Sequence, residues 1–438
     1  MTVKKGKKVD VVTLGCSKNL VDTEFLIRQF EANGIQVAHD AEQPDGEVAI
    51  INTCGFIGDA KEESIDTILS FAEAKKRGDI KQLYVMGCLS ERYLEQLGQE
   101  IPEVDKFYGK FDWKNLISEV GATYRRDLMN ERSLTTPNHY AYLKISEGCN
   151  RTCSYCAIPL ITGKHKSRSM DDLLDEAKHL RDGGVKELQV IAQDLSFYGY
   201  DLYKDYKLPQ LTEELAKIDG IEWIRLHYAY PAGFPMDVLK VMQENPKVCN
   251  YLDIALQHVS DNMLELMRRN VRKSQTYRLI EEMRQQVPGI HLRTTFITGH
   301  PGETEADFQE MVQFVKDARF ERLGVFPYSH EDDTYAFKKY QDDIPFEVKQ
   351  ERADHIMEIQ NGISKEINQE KVGQNMKVIV DREEGDYFIG RTEFDSPEVD
   401  QEVLLPKETN DELTIGEFYQ VDITDSEDYD LFGVAQKK

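Results

Sequence analysis

Cys149, Cys153 and Cys156 stand at offsets 0, 4 and 7 in the octet Cys-Asn-Arg-Thr-Cys-Ser-Tyr-Cys. That spacing does not put three side chains on one helix face. It suits a loop wrapped around a compact group. Three thiolates on one loop can hold three corners of an iron–sulfur cube and leave the fourth iron open. Zinc is the alternative on donor chemistry, because His165 follows nine residues after Cys156 and three cysteines with one histidine make an accepted zinc set. Zinc more usually takes its cysteines in pairs separated by a longer stretch. Disulfides fit poorly with an odd count of 7 cysteines and no secretory signal.

Three further cysteines share a position rather than a spacing. Residues 9–16, 48–54 and 83–88 read as buried strands, and they end at Cys16, Cys54 and Cys88, each beside a glycine. Amphipathic helices are expected over 19–34 and 59–77. Strand–helix alternation predicts a doubly wound parallel sheet, in which ligands bind beyond the carboxyl ends of the strands. Three cysteines at equivalent strand ends therefore point to a second metal or cluster site, against the blander reading of three buried structural thiols.

The elements that must position the octet follow it. Strands are expected at 140–147, 185–192, 222–229, 250–256, 291–298 and 322–328. Helices are expected at 169–183, 209–218, 235–244, 274–286 and 304–318. Six parallel strands with crossover helices would form a partial, open (β/α) barrel with its site at the carboxyl ends of the strands. The octet follows the first strand, and Gln193, Asp194, Gln257, His258, Gly299 to Glu303 and Pro327–Tyr328 end later ones. A long charged helix over 346–372 leads to short strands separated by Gly, Pro, Asp and Asn, the texture of a small all-β barrel. The expected division is an N-terminal domain over 1–124, a linker over 125–139, the partial barrel over 140–371 and the β-barrel over 372–438.

The bulk numbers exclude some functions. No run approaches 18 apolar residues, so no membrane span is expected, and a cytoplasmic location would keep the thiols reduced. The net charge of −25 argues against a general nucleic-acid binder and suits a basic protein partner. Residues 372–438 alone hold 18 acidic and 6 basic residues.

Cys149-x3-Cys153-x2-Cys156, with Tyr155 before the last cysteine, resembles the signature of the radical S-adenosylmethionine (SAM) superfamily. The whole chain is similar to its methylthiotransferase branch, whose members carry an N-terminal domain with a second cluster, a partial barrel and a C-terminal TRAM β-barrel. The segments around Cys16, Cys54 and Cys88 resemble that domain's cysteine segments. Gly299-His300-Pro301-Gly302-Glu303 resembles its strand-five motif, where Phe or Leu is more usual than His300. Ser17-Lys18-Asn19 and Ala192-Gln193-Asp194 look like the RimO type, which modifies an aspartate of ribosomal protein twelve of the small subunit. The MiaB type, which modifies an adenosine in tRNA, more often has Gly-Gln-Asn at the latter place. The acidic C-terminal barrel agrees, since it repels RNA phosphate and attracts a basic ribosomal protein.

The resemblance implies two [4Fe–4S] clusters, one on Cys149, Cys153 and Cys156 and one on Cys16, Cys54 and Cys88. The first would chelate SAM and cleave it to a 5′-deoxyadenosyl radical that abstracts hydrogen from the aspartate β-carbon. The second would hold exogenous sulfide, methylated by a second SAM. A flavodoxin or ferredoxin would serve as electron donor. Tyr155, Gln193, Gln257, Gly299 and Phe326 are expected in the SAM pocket, and Arg168 and His258 could meet a substrate carboxylate. The competing class is a non-catalytic iron–sulfur or zinc protein that binds the ribosome through its acidic tail.

Overall fold

The computed structural model describes residues 7–41, 44, 46–410 and 412–436. Near-continuous apolar runs make strands buried on both faces, and such strands pair in parallel under covering helices. The first unit runs β1 (Lys8–Thr13), α1 (Ser17–Ala32), β2 (Gln36–His39), β3 (Val48–Thr53), α2 (Gly58–Arg77), β4 (Gln82–Gly87), α3 (Cys88–Glu100), β5 (Lys106–Phe107) and α4 (Trp113–Glu119). Its five strands lie in the order β2-β1-β3-β4-β5, all parallel. Every residue of β3, the central strand, is buried. Cys88 opens α3 instead of closing β4, because Gly87 turns the chain at φ +106°.

Residues 125–139 form a packed strap, not a loose linker. The guanidinium of Arg132 is fully buried between Glu24 of α1 at 2.6 Å and Glu176 at 2.8 Å. The second unit has six parallel strands: β6 (Tyr140–Lys144), β9 (Glu187–Ile191), β10 (Trp223–Ala229), β11 (Val248–Ile254), β12 (His291–Thr298) and β13 (Arg322–Pro327). They lie in the order β13-β12-β11-β10-β9-β6 and do not close. Between β6 and β9 a small ribbon of β7 (Ser146–Glu147) and β8 (Lys166–Ser167) brackets the cysteine loop and the short helix α5 (Ile158–Thr162). The helices α6 (Met170–Asp182), α7 (Tyr200–Tyr203), α8 (Leu208–Ala216), α9 (Asp237–Glu244), α10 (Asp261–Leu266), α11 (Lys273–Gln286) and α12 (Glu305–Ala318) connect the strands. The apolar faces of strands and helices make the largest core. After α13 (Tyr335–Lys339), α14 (Phe346–Lys371) runs along β13 and leads to a closed barrel. That barrel comprises β14 (Asn375–Glu384), β15 (Tyr387–Thr392), β16 (Val403–Pro406), β17 (Phe418–Ser426) and β18 (Leu431–Ala435). The expected architecture of parallel sheet, partial barrel and small β-barrel is present. Among the described residues no helix is long and apolar enough to cross a membrane.

The small barrel docks through buried charge. Glu187 of β9 receives Arg225 at 2.8 Å and Arg391 at 2.8 Å, with all three side chains almost wholly inside. Asp381 pairs with Arg391 at 2.5 Å and with His139 at 2.8 Å. Burial opposes the ionised carboxyls, but the arginines outweigh it and hold Glu187 and Asp381 below the ordinary carboxylate range. Removing one partner of such a set costs about 3–5 kcal/mol, because the other charge stays buried and unpaired. Glu187→Gln is therefore expected to loosen the small barrel, measured as faster proteolytic cutting near residue 372. The folded state binds fewer protons than the unfolded chain at these two carboxyls. Their stabilisation is present at neutral pH and is lost as pH falls below about 4, through their lowered values. Acid titration followed by the same proteolysis should show it.

Candidate active site

The carboxyl ends of the two parallel sheets face each other across one cavity of about 450 Å³. Cys16, Cys54, Cys88, Cys149, Cys153 and Cys156 all line it, and none is in a disulfide. Cys16 is the N-cap of α1, and its carbonyl accepts from the amides of Asn19 and Leu20. Cys88 is the first residue of α3. Two of the three N-terminal thiols thus sit at helix N-termini, whose partial positive charge favours thiolate and anionic clusters. Cys54 is clamped by Ser64, which accepts from its amide at 3.0 Å and donates to its carbonyl at 2.9 Å. A Cβ on Gly15 would lie 2.8 Å from the Cys54 sulfur, and its φ of +92° favours glycine as well, so the Cys16 turn abuts Cys54 only with glycine there.

Cys149, Cys153 and Cys156 sit on an irregular loop, as their spacing implied. The loop is tied down at Ser154, whose amide donates to the Met267 carbonyl at 2.9 Å and whose carbonyl accepts from Ala336 at 2.7 Å. His300, the departure from the family motif, is fully buried beneath it. Its Nδ1 faces the Pro301 carbonyl and its Nε2 lies 3.0 Å from the Ser154 hydroxyl. Burial pushes its pKa down to about 4. Neutral His300 donates to one neighbour and accepts from the other, which a phenylalanine could not do.

Burial pushes the thiols of Cys88 up to about 12 and Cys149 up to about 11, and raises Cys54 and Cys156 as well. Cys16 differs: burial works to raise it, but Lys18, the Asn19 amide and Lys110 outweigh that and hold it below the usual thiol value. Iron–sulfur ligation takes thiolates, so loading these sites releases protons. The residues fit such groups. Each triad offers three unbridged thiols on one cavity wall, and the buried Gln193 carbonyl oxygen finds no hydrogen-bond donor among the described residues. Zinc fits less well, because His165 lies against Ser167 and Phe197 instead of the cavity.

A chain of hydrogen bonds runs from Cys88 of the N-terminal triad across to Gln193 of the barrel. The Cys88 thiol donates to Asn19 at 3.5 Å, which also accepts from Lys110 at 3.2 Å. Lys110 donates to Asp22 at 2.8 Å, and Asp22 also accepts from Lys144 of β6. Lys144 donates to Glu147 at 2.8 Å, and Glu147 accepts from Gln193.

Of the other expected site residues, Tyr155, Gln193 and Gln257 line the cavity. Tyr155 receives Arg269 at 2.9 Å, and Gln257 adopts φ +70° to turn inward past β12. Four others do not reach the cavity wall. Gly299 packs against the stem of Lys349 and donates to Glu303 at 2.8 Å. Phe326 stands on the edge strand β13, 55% exposed, with its ring over Gly324. Arg168 turns away to Glu176, the Lys144 carbonyl and Asn130. The Nδ1 of His258 accepts from the amides of Val259 and Ser260, and its Nε2 donates to Glu303 at 3.1 Å. Strand-end position brings such residues near the mouth, but these side chains complete local caps and ion pairs. Lys18, Lys110, Arg269, Arg293 and Tyr228 line the cavity without having been singled out as site residues from sequence.

Residues 143–315 match the Radical SAM superfamily, 8–109 the Uncharacterized protein family UPF0004 and 372–435 the TRAM domain. The chain is 64% identical to the ribosomal protein uS12 methylthiotransferase RimO of Bacteroides thetaiotaomicron over 99% of each protein. It is 60% identical to a protein of the same name from Porphyromonas gingivalis, over 97% of this chain and 98% of that one. Among solved structures, the radical SAM methyltransferase TsrM of Kitasatospora setae has a TM-score of 0.55 at 14% identity, over 73% of each chain, a likeness of fold alone. The chain belongs to the RimO family of radical SAM methylthiotransferases.

Proposed function

We propose that this protein inserts a methylthio group at the β-carbon of an aspartate in ribosomal protein uS12. The observation that carries the reading is the single cavity lined by both cysteine triads. Replacing an unactivated C–H bond by C–S needs a radical, because the carbon offers neither a leaving group nor an acidic proton. Cys149, Cys153 and Cys156 would hold an iron–sulfur cluster that supplies the electron for SAM cleavage, and Cys16, Cys54 and Cys88 would hold a second whose open iron could take exogenous sulfide.

The chain's own residues supply position and charge. Tyr155 is held by Arg269, which also stacks on Tyr230 at 4.4 Å and so fixes the wall beside Cys153. The Gln193 carbonyl oxygen is free to accept from a bound group's N–H or O–H. Phe56, Ile57, Ile158 and Ile161 make part of the wall apolar and keep bulk water from the reacting carbon. Glu383, Glu384, Asp386, Glu408, Asp422, Asp425 and Glu427 of the small barrel face solvent, a surface that attracts a basic ribosomal protein and repels tRNA. A cytoplasmic location and a flavodoxin or ferredoxin as reductant complete the proposal.

Anaerobically reconstituted protein is expected to hold about eight iron atoms per chain. Replacing Cys16, Cys54 and Cys88 together by Ala should leave about four and abolish methylthiolation. Sulfur insertion that survives this change would overturn the two-cluster reading. Mass spectrometry of ribosomal proteins, with and without the enzyme, should show a methylthio gain on uS12. A gain on tRNA with uS12 untouched would overturn the choice of substrate, and a reduced sample that cleaves no SAM would favour the non-catalytic class.

A further inference from the structure

Five cationic side chains line the cavity: Lys18, Lys110, Arg151, Arg269 and Arg293. A cation removed from bulk water needs a compensating charge or lone pair. Four of the five have one. Lys110 pairs with Asp22 at 2.8 Å and Arg151 with Asp194 at 2.7 Å. Arg269 donates to the Tyr155 hydroxyl at 2.9 Å and to the Ala255 carbonyl. Arg293 lies between Asp253 at 3.7 Å and Asp400 at 3.2 Å. Lys18 has no such partner: among the described residues its ammonium makes no ion pair or hydrogen bond. It rests 3.2 Å from the centroid of the Tyr228 ring.

That ring is held in place at a cost. Tyr228 has φ +64°, a left-handed conformation that is strained for an aromatic residue, and it falls where the register of β10 on β11 slips. The result is an aromatic platform from the barrel beneath an ammonium from the N-terminal domain, two residues after Cys16. Cation–π attraction orients the ammonium but does not neutralise it. Asp253 is paired with Arg293 at 3.7 Å. The wall between the two cysteine triads therefore presents, among the described residues, one oriented ammonium that makes no hydrogen bond or ion pair of its own.

We propose that Lys18 binds the side-chain carboxylate of the aspartate that is modified. The proposal rests on the uS12 reading above and names the residue that would enforce it. A carboxylate seated on Lys18 presents its neighbouring β-carbon beside the Cys16, Cys54 and Cys88 wall. An adenine base carries no anion and would leave Lys18 unpaired. Asparagine has the same shape as aspartate without the charge, and the loss of a charge-assisted hydrogen bond is worth about 10- to 100-fold in affinity.

The test uses the anaerobic, iron-loaded full-length enzyme with uS12 and with a uS12 variant carrying asparagine at the modified position, located beforehand by mass spectrometry. The unaltered enzyme should bind the aspartate form about 10- to 100-fold more tightly. Lys18→Gln should bring that ratio close to one and raise KM more than it lowers kcat, and Lys18→Arg should restore the ratio. Iron content measured on the same samples separates carboxylate binding from loss of the neighbouring cluster. Tyr228→Leu, which lies far from Cys16 in sequence, should lower the ratio too. An unchanged ratio in Lys18→Gln, or a fall in SAM affinity in its place, overturns the assignment of Lys18 while leaving the uS12 reading intact. Absence of any methylthio gain on uS12 overturns both.

Discussion

Asp22 accepts from two buried lysines, Lys110 of its own domain and Lys144 of the barrel. Neither ammonium has bulk water to fall back on, so the arrangement is favourable only when both domains are seated together. Burial disfavours each charge, yet the partners outweigh it: Asp22 and Glu147 are held below, and Lys110 and Lys144 above, their ordinary values. Sliding the N-terminal sheet across the barrel mouth would strand at least one of these charges. The cavity that holds both cysteine triads exists because this one docking geometry satisfies the set. Arg92 reinforces it from the other side, reaching Glu331 at 3.0 Å and the Gly55 carbonyl at 2.7 Å, directly after Cys54.

The small barrel is joined by the same device. Glu187, Arg225, Arg391 and Asp381 form a buried alternation of charge, and Cys249 is buried with Trp223, Tyr251 and Ile379 in the apolar patch beside it. Arg293 spans both regions, touching Asp253 at the cavity and Asp400 of the small barrel. The surface that presents acidic side chains to solvent is thus tied through one guanidinium to the wall of the reaction cavity.

The cysteines were legible in the sequence because their chemistry is written in local spacing and in strand-end position, both of which survive without tertiary information. The six strands and five longer helices expected for the partial barrel were legible for the same reason, as alternating apolar runs. Helix α3 was not, because Leu89 and Leu97 are its only buried large apolar side chains and its backbone kinks at Tyr93. The cations of the cavity were illegible because their meaning lies in which partner each one meets. Lys110 and Lys18 look alike in the sequence, and only packing gives one a carboxylate and the other an aromatic ring. Gly299, His258, Arg168 and Phe326 were expected at the cavity and lie off its wall. Position near the mouth was inferable, but whether a side chain turned to the cavity or to a neighbouring cap was decided by contacts with α14, the 125–139 strap and the open edge of β13.

The hydrogen-bonded chain from Cys88 to Gln193 passes from the domain that is made first to the one that is made second. Domains fold as they leave the ribosome, N-terminal first. When the N-terminal sheet is complete, Cys16, Cys54 and Cys88 already sit together, but Asp22 has only Lys110 to answer, and Lys144 and Glu147 have yet to be joined to it. Until then half of the cavity is an open face with its thiols exposed to solvent. Completion of the barrel turns that face inward, so the period in which these three thiols are reachable without passing through the finished mouth is written into the order of the chain.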